Sequence, residues 1–267
     1  MEQVRESGDF AIAFDHVTKR YDGKETPAVE DLNLAIRKGE IFGFLGPNGA
    51  GKSTTIRMLV GMLRQNSGTI TADGFDNIVS SVGLKRCLGY VPDEPVFYER
   101  MSGLRHINFI CDLYGVPQRL RKERIGKLAS LFEMTEVLDD PISSYSHGMK
   151  QKLGVIAALV HDPMILVLDE PMVGLDPRSS FILKDVMREF CRKGRTVFFS
   201  THVMEVAERL CDRVGIISKG RLLFEGTLEE LKLRKGGEDA TLEELFLQMT
   251  GQADVAGLAK RTEEVLE

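Results

Sequence analysis

The stretch Gly46-Pro47-Asn48-Gly49-Ala50-Gly51-Lys52-Ser53-Thr54 follows the apolar run Ile41–Leu45 and precedes a helix-forming stretch, Thr54–Leu63. A strand, a glycine-rich turn and a helix in that order, with G-x-x-x-x-G-K-[ST] at the turn, restrict the fold more than any other feature of the chain. They describe a loop that wraps a polyphosphate. The glycines let backbone amides close around the phosphates, and the helix N-terminus adds a partial positive charge. Lys52 is placed to reach the outer phosphates, and the Ser53 hydroxyl can ligate Mg²⁺. A glycine-rich turn that only caps a helix matches the same letters, but it does not require the strand before them.

A second apolar strand, Ile165-Leu166-Val167-Leu168, ends in Asp169-Glu170. Charge at the carboxyl end of a buried strand lies where open α/β sheets bind ligands. Taken with the loop, Asp169 suits a Mg²⁺ held through its water shell, and Glu170 suits the orientation or deprotonation of an attacking water. Alone, the two acids read equally well as a solvated strand end.

The rest of the chain supports a sheet flanked by helices. Phe10, Ile12 and Phe14 alternate with small or polar residues, as do Leu32, Leu34 and Ile36, which predicts half-buried strands joined through turns at Asp22-Gly23 and Lys38-Gly39. Val197–Phe199 and Val214–Ile217 read as buried strands and Arg178–Arg192 as a helix, giving a mostly parallel sheet with helices on both faces. Residues 95 to 160 offer no comparable strand, and breaks at Gly115-Val116-Pro117 and Asp140-Pro141 divide them into helices, so they are expected to form an inserted helical subdomain. A glycine-rich hinge at Lys235-Gly236-Gly237 precedes a last amphipathic helix, Thr241–Met249, and a polar tail expected to lack order.

Composition narrows the partners. The 267 residues carry 35 Lys and Arg against 40 Asp and Glu, a net charge of −5, which is the wrong sign for a chain whose main partner is a phosphate backbone. No nucleic-acid partner is expected. The longest apolar runs, such as Val155–Val160, fall far short of the roughly 20 residues of a membrane-spanning helix. The charged N-terminus lacks a secretory signal core, so the chain is expected to stay in the compartment where it is made. Cys87, Cys111, Cys191 and Cys211 show no metal-ligand spacing and read as reduced packing residues.

With these motifs in this order, residues 10 to 235 resemble the nucleotide-binding subunit of the ATP-binding cassette (ABC) transporter family. Tyr21 stands where the family places an aromatic that stacks on adenine. Ser146-His147-Gly148-Met149-Lys150-Gln151 resembles the family's signature, and its serine also suits a helix N-cap. Gly174-Leu175-Asp176-Pro177 resembles the loop that meets the partner subunit, and His202 stands where the family's histidine contacts the γ-phosphate and the attacking water. The resemblance implies that Gly89-Tyr90-Val91-Pro92-Asp93 is the loop joining the core to the helical subdomain, and the chain departs from the family in three places: Asp93 replaces a glutamine that meets Mg²⁺, His147 a signature glycine, and Met149 a signature glutamine.

The resemblance implies an α/β fold: a P-loop NTPase (RecA-like) core with an antiparallel β subdomain and an inserted helical subdomain. Residues 1–235 would form the ATP-binding domain, with the helical subdomain at about 95–160, and 236–267 a short C-terminal extension. It implies an ATPase in which two cassettes bury ATP and Mg²⁺ between the phosphate loop of one and Ser146 and Gly148 of the other. Closing and opening would then drive a separate transmembrane permease, with the cassettes peripheral on the inner face of the cell membrane. The tail, with Leu242-Glu243-Glu244-Leu245-Phe246, resembles those of exporter-type cassettes. The competing readings are a soluble ABC ATPase acting on ribosomes or DNA, and an ATP-binding regulatory module with weak hydrolysis, which Asp93 would favour.

Overall fold

The computed structural model describes residues 9–235 and 241–250. The hinge residues Gly236 and Gly237 and the tail from Gly251 lie outside them. Two strands with period-two burial, β1 (Phe10–Lys19) and β2 (Val29–Arg37), pair antiparallel, and β4 (Ser67–Ala72) and β5 (Phe75–Asp76) extend them to a sheet of order β2-β1-β4-β5. The core sheet holds six strands: β3 (Ile41–Leu45), β6 (Leu88–Val91), β7 (Ile165–Asp169), β8 (Thr196–Thr201), β9 (Arg213–Ser218) and β10 (Arg221–Gly226). Their order is β10-β9-β3-β8-β7-β6, all parallel except the β9–β10 hairpin. Lys219 and Gly220, both with positive φ, form the two-residue turn of that hairpin.

The core strands are buried on both faces, so alternate residues serve different layers. Ile165, Val167 and Phe198 join the cluster under the antiparallel sheet, whereas Leu166, Leu168, Val197 and Phe199 join the cluster under the helices. Phe198 ties the two sheets together, with its ring centroid 6.5 Å from Phe14, 6.1 Å from Phe42 and 5.6 Å from Phe44. Truncating so buried an aromatic costs about 3–5 kcal/mol.

The helices are α1 (Lys52–Leu59), α2 (Ser81–Cys87), α3 (Gly103–Leu113), α4 (Gln118–Leu131), α5 (His147–Leu159), α6 (Pro177–Arg192), α7 (Met204–Leu210), α8 (Leu228–Lys235) and α9 (Leu242–Thr250). Helix α1 stops four residues before the expected Leu63. Gly61, at φ +71, donates to Met58 and Met62 donates to Arg57, which closes the helix in the left-handed conformation glycine tolerates. Thr241 lies just outside α9 as its cap: Glu244 N–H donates to Thr241 Oγ1 at 3.2 Å and Thr241 N–H to Glu244 Oε2 at 3.0 Å. Leu242, Leu245 and Phe246 of α9 bury against Leu45, Met204 and Leu231, so this helix completes a third apolar cluster.

One expectation is corrected. Leu88–Val91 is no loop; it is the edge strand of the core sheet, paired parallel with β7, and Asp93 follows it by two residues. Gly89 hides the strand from sequence. A Cβ there would stand 2.4 Å from the Ala158 carbonyl oxygen of α5, so the close strand–helix approach demands a residue that weakens a strand signal.

Candidate functional site: a phosphate-binding cleft at the sheet edge

Because β8 lies between β3 and β7, three adjacent parallel strands deliver their carboxyl ends to one place. The phosphate loop leaves β3, Asp169 ends β7 with Glu170 following it, and His202 follows β8. Two glycines set the loop's shape. Gly46 has no space for a Cβ, which would lie 2.5 Å from the Ile217 carbonyl, and Gly51 takes φ +113 with a Cβ position 2.6 Å from the Ala28 carbonyl. The loop backs a cleft of about 190 Å³ lined by Pro47, Asn48, Gly49, Ala50, Gly51, Lys52, Ser53, Thr54, Asp93 and Glu170. That volume is below the ~300 Å³ at which complete small-molecule sites begin.

Charge in the cleft is closely held. Lys52 is only 6% exposed; its Nζ donates to the Gly46 carbonyl at 2.7 Å and pairs with Glu170 Oε1 at 3.2 Å. The other Glu170 oxygen, Oε2, lies 3.0 Å from His202 Nδ1. Glu170 sits at φ +48, a costly backbone for a side chain of that size, and it is held there by a hydrogen bond from its N–H to Ser200 Oγ at 3.0 Å. The Ser200 hydroxyl in turn donates to Asp169 Oδ1 at 2.5 Å. Ser200 thus supports both acids, a role the sequence reading did not give it. The signal was its place one residue before Thr201-His202, but the strand order was needed to read it.

The predicted residues do not all meet. Asp169 is 2% exposed and does not line the cleft. Asp93 lines the cleft, and desolvation, then the negative charges of Asp169, Glu170 and Glu94, push its carboxyl above the ordinary carboxylate range. Tyr21 is brought to the loop, its hydroxyl 3.3 Å from Thr54 Oγ1, with the ring 39% exposed. Ser146 and Gly148 do not line the cleft. Ser146 caps α5, accepting from Met149 N–H at 3.3 Å. Among the described residues no group of three His, Cys, Asp or Glu could hold a metal alone. This donor set suits Mg²⁺, which keeps waters and takes one or two carboxylates plus phosphate oxygens.

A phosphate loop at the edge of a parallel sheet, beside a carboxylate pair and a histidine, defines a P-loop nucleoside triphosphatase. The family model described as ABC transporter matches residues 29–173. The chain is 36% identical over 231 residues to the ABC transporter ATP-binding protein NatA of Bacillus subtilis (strain 168), covering 85% of this chain and 94% of the relative. It is 38% identical over 224 residues to the linearmycin resistance ATP-binding protein LnrL of the same organism, covering 84% and 71%. A solved ATP-binding subunit of an ABC transporter superposes with a TM-score of 0.86 at 30% identity, covering 90% of this chain and 99% of that one. The chain belongs to the ABC transporter family. It is an ATP-binding subunit of ABC ATPase type.

Proposed function

We propose that this subunit couples ATP-driven pairing of two cassettes to substrate translocation, in the direction of export, by a separate transmembrane permease. One observation carries the reading: the phosphate loop and Glu170 line one small cleft, with His202 bonded to Glu170, while Ser146 and Gly148 stand outside it on the capped end of α5. A chain built this way supplies two halves of different sites, so a second cassette, the same or a different chain, completes each. The domain organisation follows the same reading, with residues 1–235 as the ATP-binding domain, its helical subdomain at about 95–160, and 236–267 as the extension.

Within the site, Lys52 leaves Gly46 and Glu170 for the outer phosphates. Glu170, freed of that pairing and oriented by His202, takes the proton of the attacking water. Ser53 and Asp169, with Asp93, would hold Mg²⁺, which supplies charge neutralisation at the β- and γ-phosphates. Tyr21 offers its ring to adenine. On the partner cassette, Ser146 and Gly148 and the N-terminus of α5 face the γ-phosphate, so pairing is favoured before hydrolysis and lost after it.

The docking site for the permease is placed near the helical subdomain and the loop at Asp93, where Val96 and Tyr98 stand 92% and 68% exposed. No helix among the described residues is long and apolar enough to cross a membrane. As the partner of a separate permease, the subunit would sit peripherally, on the cytoplasmic face. Export is supported by α9, which carries Leu242-Glu243-Glu244-Leu245-Phe246, and by the resistance function in the name of one relative. A detergent pull-down of the tagged full chain tests the coupling: a co-purifying membrane subunit is expected, and an exclusively soluble partner set would favour action on ribosomes or DNA instead.

A further inference from the structure

His147, one of the two signature residues that depart from the family, makes a contact that neither the phosphate loop nor the α5 cap requires. Its imidazole lies on Gly174, in the loop of residues 171–176 that runs from Glu170 to α6. A Cβ on Gly174 would stand 2.1 Å from His147 Cδ2 and 2.5 Å from its Nε2. Gly174 also has φ +77, so both the space and the backbone demand glycine. Gly148, the next residue, packs on the same point, where a Cβ would lie 2.9 Å from the Gly174 carbonyl oxygen. Further along α5, Lys152, with its side chain 13% exposed, pairs with Asp176 at 3.6 Å. The hydroxyl and amide of Ser179 hold the Asp176 carboxyl down at about 2, which keeps it charged for that pairing.

The loop has little slack to absorb a shift. Val173 N–H donates to the Glu170 carbonyl at 3.2 Å, Leu175 N–H to the Met172 carbonyl at 3.4 Å, and Asp176 caps α6 through Ser179 N–H at 2.8 Å. A displacement at Gly174 is therefore passed toward Glu170, whose place at φ +48 is already demanding.

We propose that His147 is a positioning residue that fixes this loop to the signature end of α5, so that the seat of Glu170 in one nucleotide site follows the engagement of its own signature with the other site. The inference rests on the two-cassette reading above. The family's usual glycine has no side chain to reach Gly174.

The test uses the purified full chain and its His147→Gly and His147→Phe variants, measuring kcat, the dissociation constant for ATP, and the Hill coefficient of hydrolysis. His147→Gly is expected to lower kcat about tenfold, the scale on which sub-ångström misplacement acts. Its ATP affinity stays as in the wild type, and its Hill coefficient falls toward 1. His147→Phe, whose ring still covers Gly174, regains most of the lost kcat. Wild-type turnover in His147→Gly overturns the proposal, as does an equal loss in both variants or a fall in ATP affinity that matches the fall in kcat. Should His147→Gly fail to fold, Gly174→Ala carries the test, since its methyl displaces the ring: reduced kcat is expected, and wild-type kcat overturns the proposal. The Glu170→Gln chain with ATP separates the two levels. If it dimerises while His147→Gly turns over normally, the positioning role alone fails; if it stays monomeric, the two-cassette reading fails first.

Discussion

Under the two-cassette proposal the carboxyl edge of β3, β8 and β7 and the N-terminal end of α5 both meet phosphate, yet they are built differently. At the sheet edge, Lys52, Asp169, Glu170 and Ser200 are buried or nearly so, and each is held by a partner from another strand or loop. At α5, Ser146 and His147 are exposed, and the helix is capped by its own serine. The first region is preorganised within the chain. The second is presented outward. On that proposal, the difference teaches that a single copy would hold a chemical half and a recognition half, with Ser146 and Gly148 outside the cleft.

The comparison breaks most readily at Glu170. Replacing it with glutamine keeps the shape and the hydrogen bond to His202 but removes the base, and steady-state turnover should fall by about 10²–10⁴-fold with ATP binding intact. Near-normal turnover would place the base elsewhere. Lys52→Ala should weaken ATP binding in a calorimetric titration by about 10- to 100-fold, the worth of a charged hydrogen bond to phosphate, and unchanged binding would remove the loop's assignment.

Ser200 sharpens the claim that the edge is preorganised. Ser200→Ala leaves the buried Asp169 without its hydroxyl donor and the Glu170 amide without its acceptor, so unfolding in urea should show a loss of about 1–3 kcal/mol. Its kcat should fall more than its ATP affinity, and a variant as stable and active as the parent would show that the strand order does not support the acids.

The smallest effect concerns Asp93. Its folded-state value is raised, so the folded chain binds this proton more tightly than the unfolded chain does. The stabilisation is present below the ordinary carboxylate value of 3.8 and is lost as pH rises through the folded value. Asp93→Asn should flatten that fall in urea-unfolding curves taken across the acid range. The group is solvent-exposed and screened, so the change is modest, and an identical pH profile in the variant would count against the crowding of negative charge in the cleft.

These two regions also differ in how much of them the sequence discloses. The loop Gly46–Thr54 is legible because its chemistry is contiguous, and Ser146 is legible because a cap is a local event. Asp169 and Glu170 are legible as an acid pair ending a strand. Their support by Ser200 is not, since it depends on β8 lying between β3 and β7, an order no local pattern encodes. Leu88–Val91 and Ser67–Ala72 give no strand signal in the sequence, for a related reason. Gly89 and Gly68 interrupt the apolar pattern because neighbouring backbone comes too close for a side chain, the His16 carbonyl standing 2.4 Å from a Cβ on Gly68. The packing of His147 on Gly174 is likewise a meeting of distant segments.

The separation of the chemical half from the recognition half is tested most directly by the mass of the Glu170→Gln chain in solution. Light scattering after size exclusion should show a dimer with Mg²⁺ and ATP and a monomer with Mg²⁺ and ADP. A monomer under saturating ATP, with binding confirmed by calorimetry, would contradict the account.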